Sequence, residues 1–108
     1  MEPGKTLAEF WPYYLHEHKD PANVALHVFG STLAILLVIL APFTTYWLLL
    51  AALLSGYGFA WFGHFVLERN RPATFRYPIR SFLSDWKLWW YGIRFKLGAE
   101  YRKLDIWK

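Results

Sequence analysis

The sequence predicts an all-α membrane protein, a helical hairpin of two spans flanked by interfacial amphipathic helices. Three observations lead to this fold class. No Asp, Glu, Lys or Arg occurs from Pro21 to Leu67, which leaves room for two spans of about 20 residues and a turn. Pro42 stands near the middle of that stretch as a helix breaker. The flanking segments are rich in Trp and Tyr, which favour the interface between lipid and water.

The composition excludes several other classes of protein. The chain has 108 residues, of which 56% are hydrophobic, so we expect one integral membrane domain over residues 1–108 and no disorder. The absence of Cys excludes a disulfide scaffold, thiolate metal ligands and a cysteine nucleophile. The net charge is +4, but the basic residues lie beside the uncharged stretch among Trp and Tyr. That pattern favours an anionic membrane surface over nucleic acid.

The N-terminal segment predicts a short interfacial helix. Thr6 and Glu9 fit a capping box, so this helix is expected to begin at Leu7. It should run to about Lys19, with Pro12 kinking or restarting it. Its aromatic residues favour the interface over a span. It also lacks the basic and apolar regions of a signal peptide.

The uncharged stretch predicts two spanning helices. Asp20 and Pro21 suit the N-cap and first position of a helix, which is expected over residues 21–40. Residues 41–45 form the turn, and a second span is expected over residues 46–67. Every Lys and Arg lies outside the hairpin on one side, so the positive-inside rule predicts that both termini face the cytoplasm. The membrane would be the inner membrane of a bacterium or the endoplasmic reticulum of a eukaryote.

A basic loop over residues 69–78 leads to the last predicted helix. Ser81 or Ser84 is expected to cap this helix, which should run to about Leu104 as an interfacial amphipathic element. Its Trp cluster is expected to anchor the chain in membrane lipids, with the wall of a lipid groove as the alternative: Trp86, Trp89 and Trp90. Two spans leave much helix surface without a partner, so a homodimer or larger oligomer is expected.

Three histidines are expected at one depth in the hairpin. His27 lies about 20 Å and His64 about 27 Å from the turn at 1.5 Å per residue, and His18 stands just before the first span. An ionisable residue inside a membrane helix is a functional candidate by default, the alternative being a neutral His bonded to a carbonyl or a Tyr. Three imidazoles together suit Fe, Zn, Cu or Ni. His16 cannot share a helix face with His18 and is expected to face water.

Small and polar residues on the two spans indicate how they pack. They recur every three or four positions: Gly56, Ala60, His64 and Glu68 on the second span, and Asn23, His27, Ser31 or Gly30, and Ala34 on the first. Small residues let membrane helices approach closely, and packing these stripes together brings the histidines together. Asn23 and Glu68 would then flank the pair as ligands, as groups that orient the ligands, or as hydrogen-bond partners.

Several motifs resemble one known family. They are Phe10-Trp11-Pro12-Tyr13-Tyr14-Leu15, Glu17-His18, Pro21, Leu26-His27-x-x-Gly30-Ser31, Gly56-Tyr57-Gly58-Phe59-Ala60-Trp61-x-Gly63-His64-Phe65, Glu68-x-Asn70-Arg71-Pro72-Ala73-Thr74-Phe75, Tyr77-Pro78 and Ser84-Asp85. Together they resemble a family of small integral membrane proteins that includes the fungal endoplasmic-reticulum 2-hydroxy fatty acid dioxygenase of fatty acid α-oxidation. The likeness runs from about Phe10 to Tyr91, and its most specific block begins at Gly63.

The resemblance implies an Fe2+ enzyme whose metal is held by histidines. Its family pattern fits His18, His27 and His64 best as ligands. Such an enzyme converts a 2-hydroxy fatty acid and O2 into the fatty acid one carbon shorter, CO2 and water, and it needs no nicotinamide or flavin. The competing class is a non-catalytic membrane hairpin that binds lipid or acts as a scaffold.

Further residues are expected to assist that chemistry. Glu68 follows His64 by one helical turn and can orient its imidazole, and with Asn23 it is the predicted catalytic pair. Arg71 or Arg76, with Arg80 as a further candidate, could pair with the carboxylate of the substrate. The alternative for each Arg is a phospholipid headgroup.

Overall fold

The computed structural model describes residues 2–107, which form five α-helices and no strand. The helices are α1 (Leu7–His16), α2 (Pro21–Leu40), α3 (Trp47–Phe62), α4 (Pro78–Ile93) and α5 (Leu97–Lys103). Short 3-10 turns cover Ala41–Phe43 and Ala73–Phe75, and a π-helical turn covers Gly63–Glu68. The predicted all-α class is confirmed.

Two helices form a long apolar hairpin. α2 begins where the sequence predicts, because the Asp20 carboxylate accepts a hydrogen bond from the Ala22 backbone N–H at 2.8 Å. With the turns that continue them, the helices reach Pro21–Phe43 and Trp47–Glu68, 23 and 22 residues. Both are long and apolar enough to cross a membrane. Few of their residues are covered by other parts of the chain. The buried share is 22% in the first span and 17% in the second.

α2 packs tightly against α3 at Gly30. A Cβ added there would lie 3.0 Å from the Ser55 carbonyl oxygen and from the Phe59 side chain, so a larger residue would push the helices apart. The Ser55 hydroxyl donates a hydrogen bond to the Gly30 carbonyl at 3.2 Å. A Cβ added at Gly56, in the predicted packing stripe, would lie 3.9 Å from the Ala34 Cβ, an ordinary contact distance. The tighter of these two contacts therefore involves Gly30, one of the alternatives in the predicted stripe of α2, and Gly56 and Ala34 of the two stripes face each other.

α1, α4 and α5, which we call the cap, pack on the histidine end of the hairpin. The core that they share with α2 and the second 3-10 turn combines four aromatic and five aliphatic residues: Phe10, Trp11, Tyr14, Leu15, Val24, Ala73, Leu88, Leu97 and Tyr101. α1 runs through Pro12 and ends at His16, shorter than predicted. Phe10 and Leu15 are fully buried, so α1 is a core element and not a helix that lies free at the interface.

The predicted single C-terminal helix is wrong. α4 ends at Ile93, Phe95 adopts the left-handed conformation with φ 57°, and α5 begins at Leu97. Just before this turn, Gly92 packs against Val28 of α2, where an added Cβ would lie 2.7 Å from a methyl group. The turn buries Leu97 in the cap.

The residues predicted as the N-cap of that helix are also wrong. α4 begins at Pro78, a favoured first helical residue. Ser81 and Ser84 lie inside the helix and are 1% and 4% exposed. Their hydroxyls therefore belong to the protein interior.

Candidate metal centre

Three buried imidazoles converge where the cap meets the hairpin. His18 lies between α1 and α2, His27 lies in α2, and His64 lies in the π-helical turn. One ring nitrogen from each lies within 4.8 Å of the others. The shortest of these separations is 2.9 Å, between Nε2 of His18 and Nε2 of His64. The structure thus brings together the three histidines that the sequence groups.

The Nδ1 atom of each imidazole forms a hydrogen bond that holds the ring in place. His18 donates Nδ1–H to the Tyr14 carbonyl at 2.6 Å, His27 to the Asn23 carbonyl at 2.9 Å, and His64 to the Asn70 side-chain oxygen at 2.7 Å. Because these oxygens only accept, the proton sits on Nδ1 and the Nε2 lone pairs are free. This arrangement is typical of histidines that bind a metal.

The donor set fits a transition-metal ion. Two unprotonated Nε2 atoms at 2.9 Å repel each other unless a cation or a proton lies between them. Burial holds the pKa of His18 well below its ordinary value, and the neighbouring His27 and His64 lower it further. A proton is therefore disfavoured at this position. Three neutral imidazoles suit a borderline ion such as Fe2+ or Zn2+.

The π-helical turn sets the direction of His64. A Cβ at Gly63 would lie 1.8 Å from the Asn23 side-chain oxygen, so only glycine allows this approach to α2. The turn ends at Arg69, whose φ of 58° is left-handed, and Asn70 N–H bonds back to the His64 carbonyl at 3.0 Å. Such π turns often occur at functional sites.

Asn70 is a site residue that the sequence analysis missed. Its amide nitrogen donates to the backbone and side-chain oxygens of Glu17, at 3.0 Å each. Both partners are acceptors, so the amide oxygen must face His64. Asn70 belongs to the family motif, but its separation from His64 matches no helical spacing. Only the left-handed turn at Arg69 folds it back.

Glu68 and Asn23 have other partners than predicted. The Glu68 carboxylate accepts from Asp20 N–H at 2.8 Å and from the Asn23 amide at 3.0 Å. The predicted bond that orients His64 is made by Asn70, because the π turn rotates Glu68 towards the start of α2. Asn23 holds an imidazole through its backbone carbonyl. The catalytic role predicted for Glu68 and Asn23 stays a prediction.

A cavity of about 470 Å3 extends from the histidines along the hairpin. Its histidine end also presents polar groups from the cap, those of Tyr14, Ser81 and Asp85. The rest of its wall is mostly apolar: Ala34, Ile35, Val38, Ile39, Leu49, Ala52, Leu53, Gly56, Tyr57, Ala60, Trp61, Phe82 and Trp86. Trp86 therefore forms part of the groove wall, which was the alternative to membrane anchoring.

The polar groups at the histidine end are linked to the imidazoles. The Tyr14 ring stacks on His18 with centroids 4.0 Å apart, and its hydroxyl donates to the Asp85 carboxylate. Burial raises the pKa of Asp85 to about 7, although the bond from Tyr14 opposes this shift. The Ser81 hydroxyl is buried and has no partner among the residues that the structure describes. Asp85 belongs to the Ser84-Asp85 motif, but no signal in the sequence pairs it with Ser81.

The predicted arginines lie elsewhere. Arg71 and Arg76 are exposed, and the cavity wall within residues 2–107 includes neither of them. Arg80 donates to the Gly4 carbonyl at 2.7 Å. His16 donates to the Pro12 carbonyl at 2.8 Å and stands outside the three-histidine group, as predicted.

Fold and site together define a helical protein with two potential membrane spans and a buried three-histidine centre at one end of an apolar cavity. The model of the family described as 2-hydroxy-palmitic acid dioxygenase Mpo1-like matches residues 4–97. The chain belongs to this Mpo1-like family, which confirms the resemblance in the sequence. No curated protein and no solved structure matches the chain.

Proposed function

We propose that this protein is an Fe2+-dependent dioxygenase that shortens 2-hydroxy fatty acids by one carbon. One 2-hydroxy acid and one O2 give the shorter fatty acid, one CO2 and one water, so the substrate supplies all the electrons. The observation that carries the proposal is the convergence of three Nε2 lone pairs at the end of an apolar cavity. The family membership supports the substrate class.

The histidines hold the ion in this proposal. His18, His27 and His64 supply three neutral nitrogen ligands, and three ligands leave coordination positions for other molecules. When bound, Fe2+ supplies the one-electron chemistry with O2 and the affinity for the hydroxyl and carboxylate oxygens of the substrate. The hydrogen bonds on Nδ1 keep the imidazoles in place and in the metal-binding tautomer.

The cap binds the polar head of the substrate in this proposal. Ser81 offers a buried hydroxyl without a partner, and Asp85 in its protonated form is a second donor at the same end of the cavity. Such groups can donate hydrogen bonds to the substrate carboxylate. The exposed Arg71 and Arg76 remain predicted partners of that carboxylate, and contact would require them to move towards the cavity.

We also propose that the hairpin spans a membrane with both termini in the cytoplasm. The exposed apolar faces of α2 and α3 and the uncharged turn support it. Cysteines introduced at Thr44 and Lys103 should react from opposite sides of sealed vesicles. Equal reaction of both from the cytoplasmic side would reject the spanning hairpin. The homodimer stays a prediction. Measuring the mass of the detergent-solubilised protein tests it.

Metal and product analysis test the function. Detergent-purified protein should contain close to one iron per three-histidine site. With O2 and a reductant that keeps iron ferrous, it should convert a long-chain 2-hydroxy acid to the acid one carbon shorter. The acid without the hydroxyl should not react, because it lacks the second oxygen donor for the metal. Unchanged substrate despite bound iron would favour the non-catalytic lipid-binding hairpin.

A further inference from the structure

The cavity wall changes in character along the hairpin. On α3, Ala52, Gly56 and Ala60 follow one another at one-turn spacing towards His64, so this face leaves space beside the helix. Large side chains also line the cavity, Tyr57 and Trp61 beside that face, and Val38, Ile39 and Leu49 near the turn. The cavity is therefore polar at the histidine end and apolar towards the turn, where these last three side chains are about half exposed.

The length of this cavity matches a long acyl chain. From His27 to Ile39 along α2 is about 18 Å at 1.5 Å per residue. An extended chain advances about 1.2 Å per bond, by analogy with the reach of an extended polypeptide. A chain of about 15 bonds thus reaches from the histidines to the far end.

A second observation indicates that the cavity holds a ligand. The Ser81 side chain is 1% exposed and lines the cavity, yet its hydroxyl has no partner among the described residues. Buried hydroxyls are normally hydrogen-bonded. A molecule with a polar head at this end and an alkyl tail in the apolar part would satisfy both ends of the cavity.

We propose that Gly56 determines the length of the acyl chain that the protein accepts. This proposal rests on the proposed function. Gly56 lies about 12 Å from His64 along α3, or about 10 bonds along an extended acyl chain. A Cβ added there would meet only Ala34, at an ordinary contact distance of 3.9 Å. A larger side chain therefore fits on the backbone and fills the cavity beyond that depth.

Gly56→Leu and Gly58→Leu form a matched pair. Both replace a glycine inside α3 by the same residue, so their effects on helix propensity are similar. A Cβ at Gly58 has nothing within 4 Å, and Gly58 lies outside the cavity wall. Only Gly56→Leu should change what the cavity holds.

Binding and turnover of 2-hydroxy acids with 8 to 18 carbons measure the effect. Gly56→Leu should weaken binding of a 16-carbon acid at least about tenfold, since several methylenes lose their place and each carries a substantial share of the affinity. Acids of up to about 10 carbons should bind as they do to the parent. Gly58→Leu should keep the parent's preference. Equal metal content in all three proteins verifies that the histidine end is intact.

The outcomes separate this proposal from the proposed function. An unchanged chain-length preference in Gly56→Leu overturns the proposal even if the parent turns over its substrate. A shifted binding preference without turnover in the parent supports the cavity proposal and rejects the dioxygenase. If Gly56→Leu does not fold, Gly56→Ala adds one methyl group and should give a smaller shift in the same direction.

Discussion

The same residue type has opposite surroundings at the two ends of the molecule. In the cap, Trp11 is 6% exposed, whereas at the turn Trp47 is 77% exposed. Trp11 stands in the predicted interfacial helix, and Trp47 stands at the start of the predicted second span. Aromatic residues near a span therefore have two different roles in this protein. Those of the cap shield the histidines, and those of the turn are left for lipid and water.

The two ends also differ in their hydrogen bonds. In the cap these bonds join distant segments, such as Trp11 Nε1–H to Glu100 at 3.1 Å and the Tyr101 hydroxyl to the His18 carbonyl at 2.7 Å. At the turn they are local, such as the Thr44 hydroxyl to the Leu40 carbonyl at 2.9 Å. Long-range bonds around His18 fix a site before anything binds to it.

The largest expected effect is the loss of metal when a histidine is removed. His18→Ala, His27→Ala and His64→Ala should each abolish metal binding, because each leaves two ligands of three. Elemental analysis of the purified proteins measures it. His16→Ala is the control and should keep the metal, since its imidazole bonds to a carbonyl outside the group. Parent-like metal in two of the three variants would reject the three-histidine centre.

Replacing each of the two tryptophans by alanine tests whether they contribute differently to stability. Trp11→Ala should lower the free energy of unfolding by about 3–5 kcal/mol, as for other buried tryptophans. Trp47→Ala should change it by less than about 0.5 kcal/mol in detergent, because little of its surface touches the protein. Denaturant titration of both variants measures the difference. Similar losses would mean that the turn is packed against a partner, such as a second copy of the chain.

Asn70→Ala should weaken metal binding without abolishing it. The variant removes the acceptor of the His64 Nδ1–H, and losses of this kind typically cost about 10- to 100-fold in metal affinity. Glu68→Gln is the comparison, and it should cost less, since an amide oxygen can still accept from the Asn23 side chain. Competition with a chelator measures both affinities. A larger loss in Glu68→Gln would restore the role that the sequence predicts for Glu68.

What the sequence could predict depended on local signals. The hairpin follows from the missing charges, and the pairing of His27 with His64 follows from counting residues along two antiparallel helices. The break between α4 and α5 occurs beside the contact of Gly92 with Val28, which joins distant segments. No periodicity in the sequence encodes such a contact.

The site shows the same limit. The partner of His64 depends on a π turn and a left-handed residue, so helical spacing selected Glu68 in place of Asn70. The strong pattern of Trp and basic residues on α4 predicts an interfacial helix and gives no sign that Ser81 and Asp85 line a cavity. The surroundings of Asp85 come in part from α1, whose Tyr14 donates a hydrogen bond to it.

The most gradual expected effect is a change in pH dependence at Asp85, because it develops over about three pH units. Burial raises the pKa of this carboxyl from 3.8 to about 7 in the folded protein. Between those values the folded state holds a proton that the unfolded state has released, so the free energy of unfolding falls as pH rises, by at most about 1.4 kcal/mol per pH unit. Asp85→Asn lacks this ionisation and should lose that slope.

The difference between variant and parent isolates this residue. His18 has the opposite slope, because its pKa is lowered by burial and stability is lost as pH falls below about 6.5. That contribution is present in both proteins and cancels in the difference. The free energy of unfolding of Asp85→Asn minus that of the parent should therefore rise steadily from about pH 4 to about pH 7 and be flat above it. A difference independent of pH would mean that Asp85 is ionised in the folded protein, and it could then not donate a hydrogen bond to a substrate carboxylate.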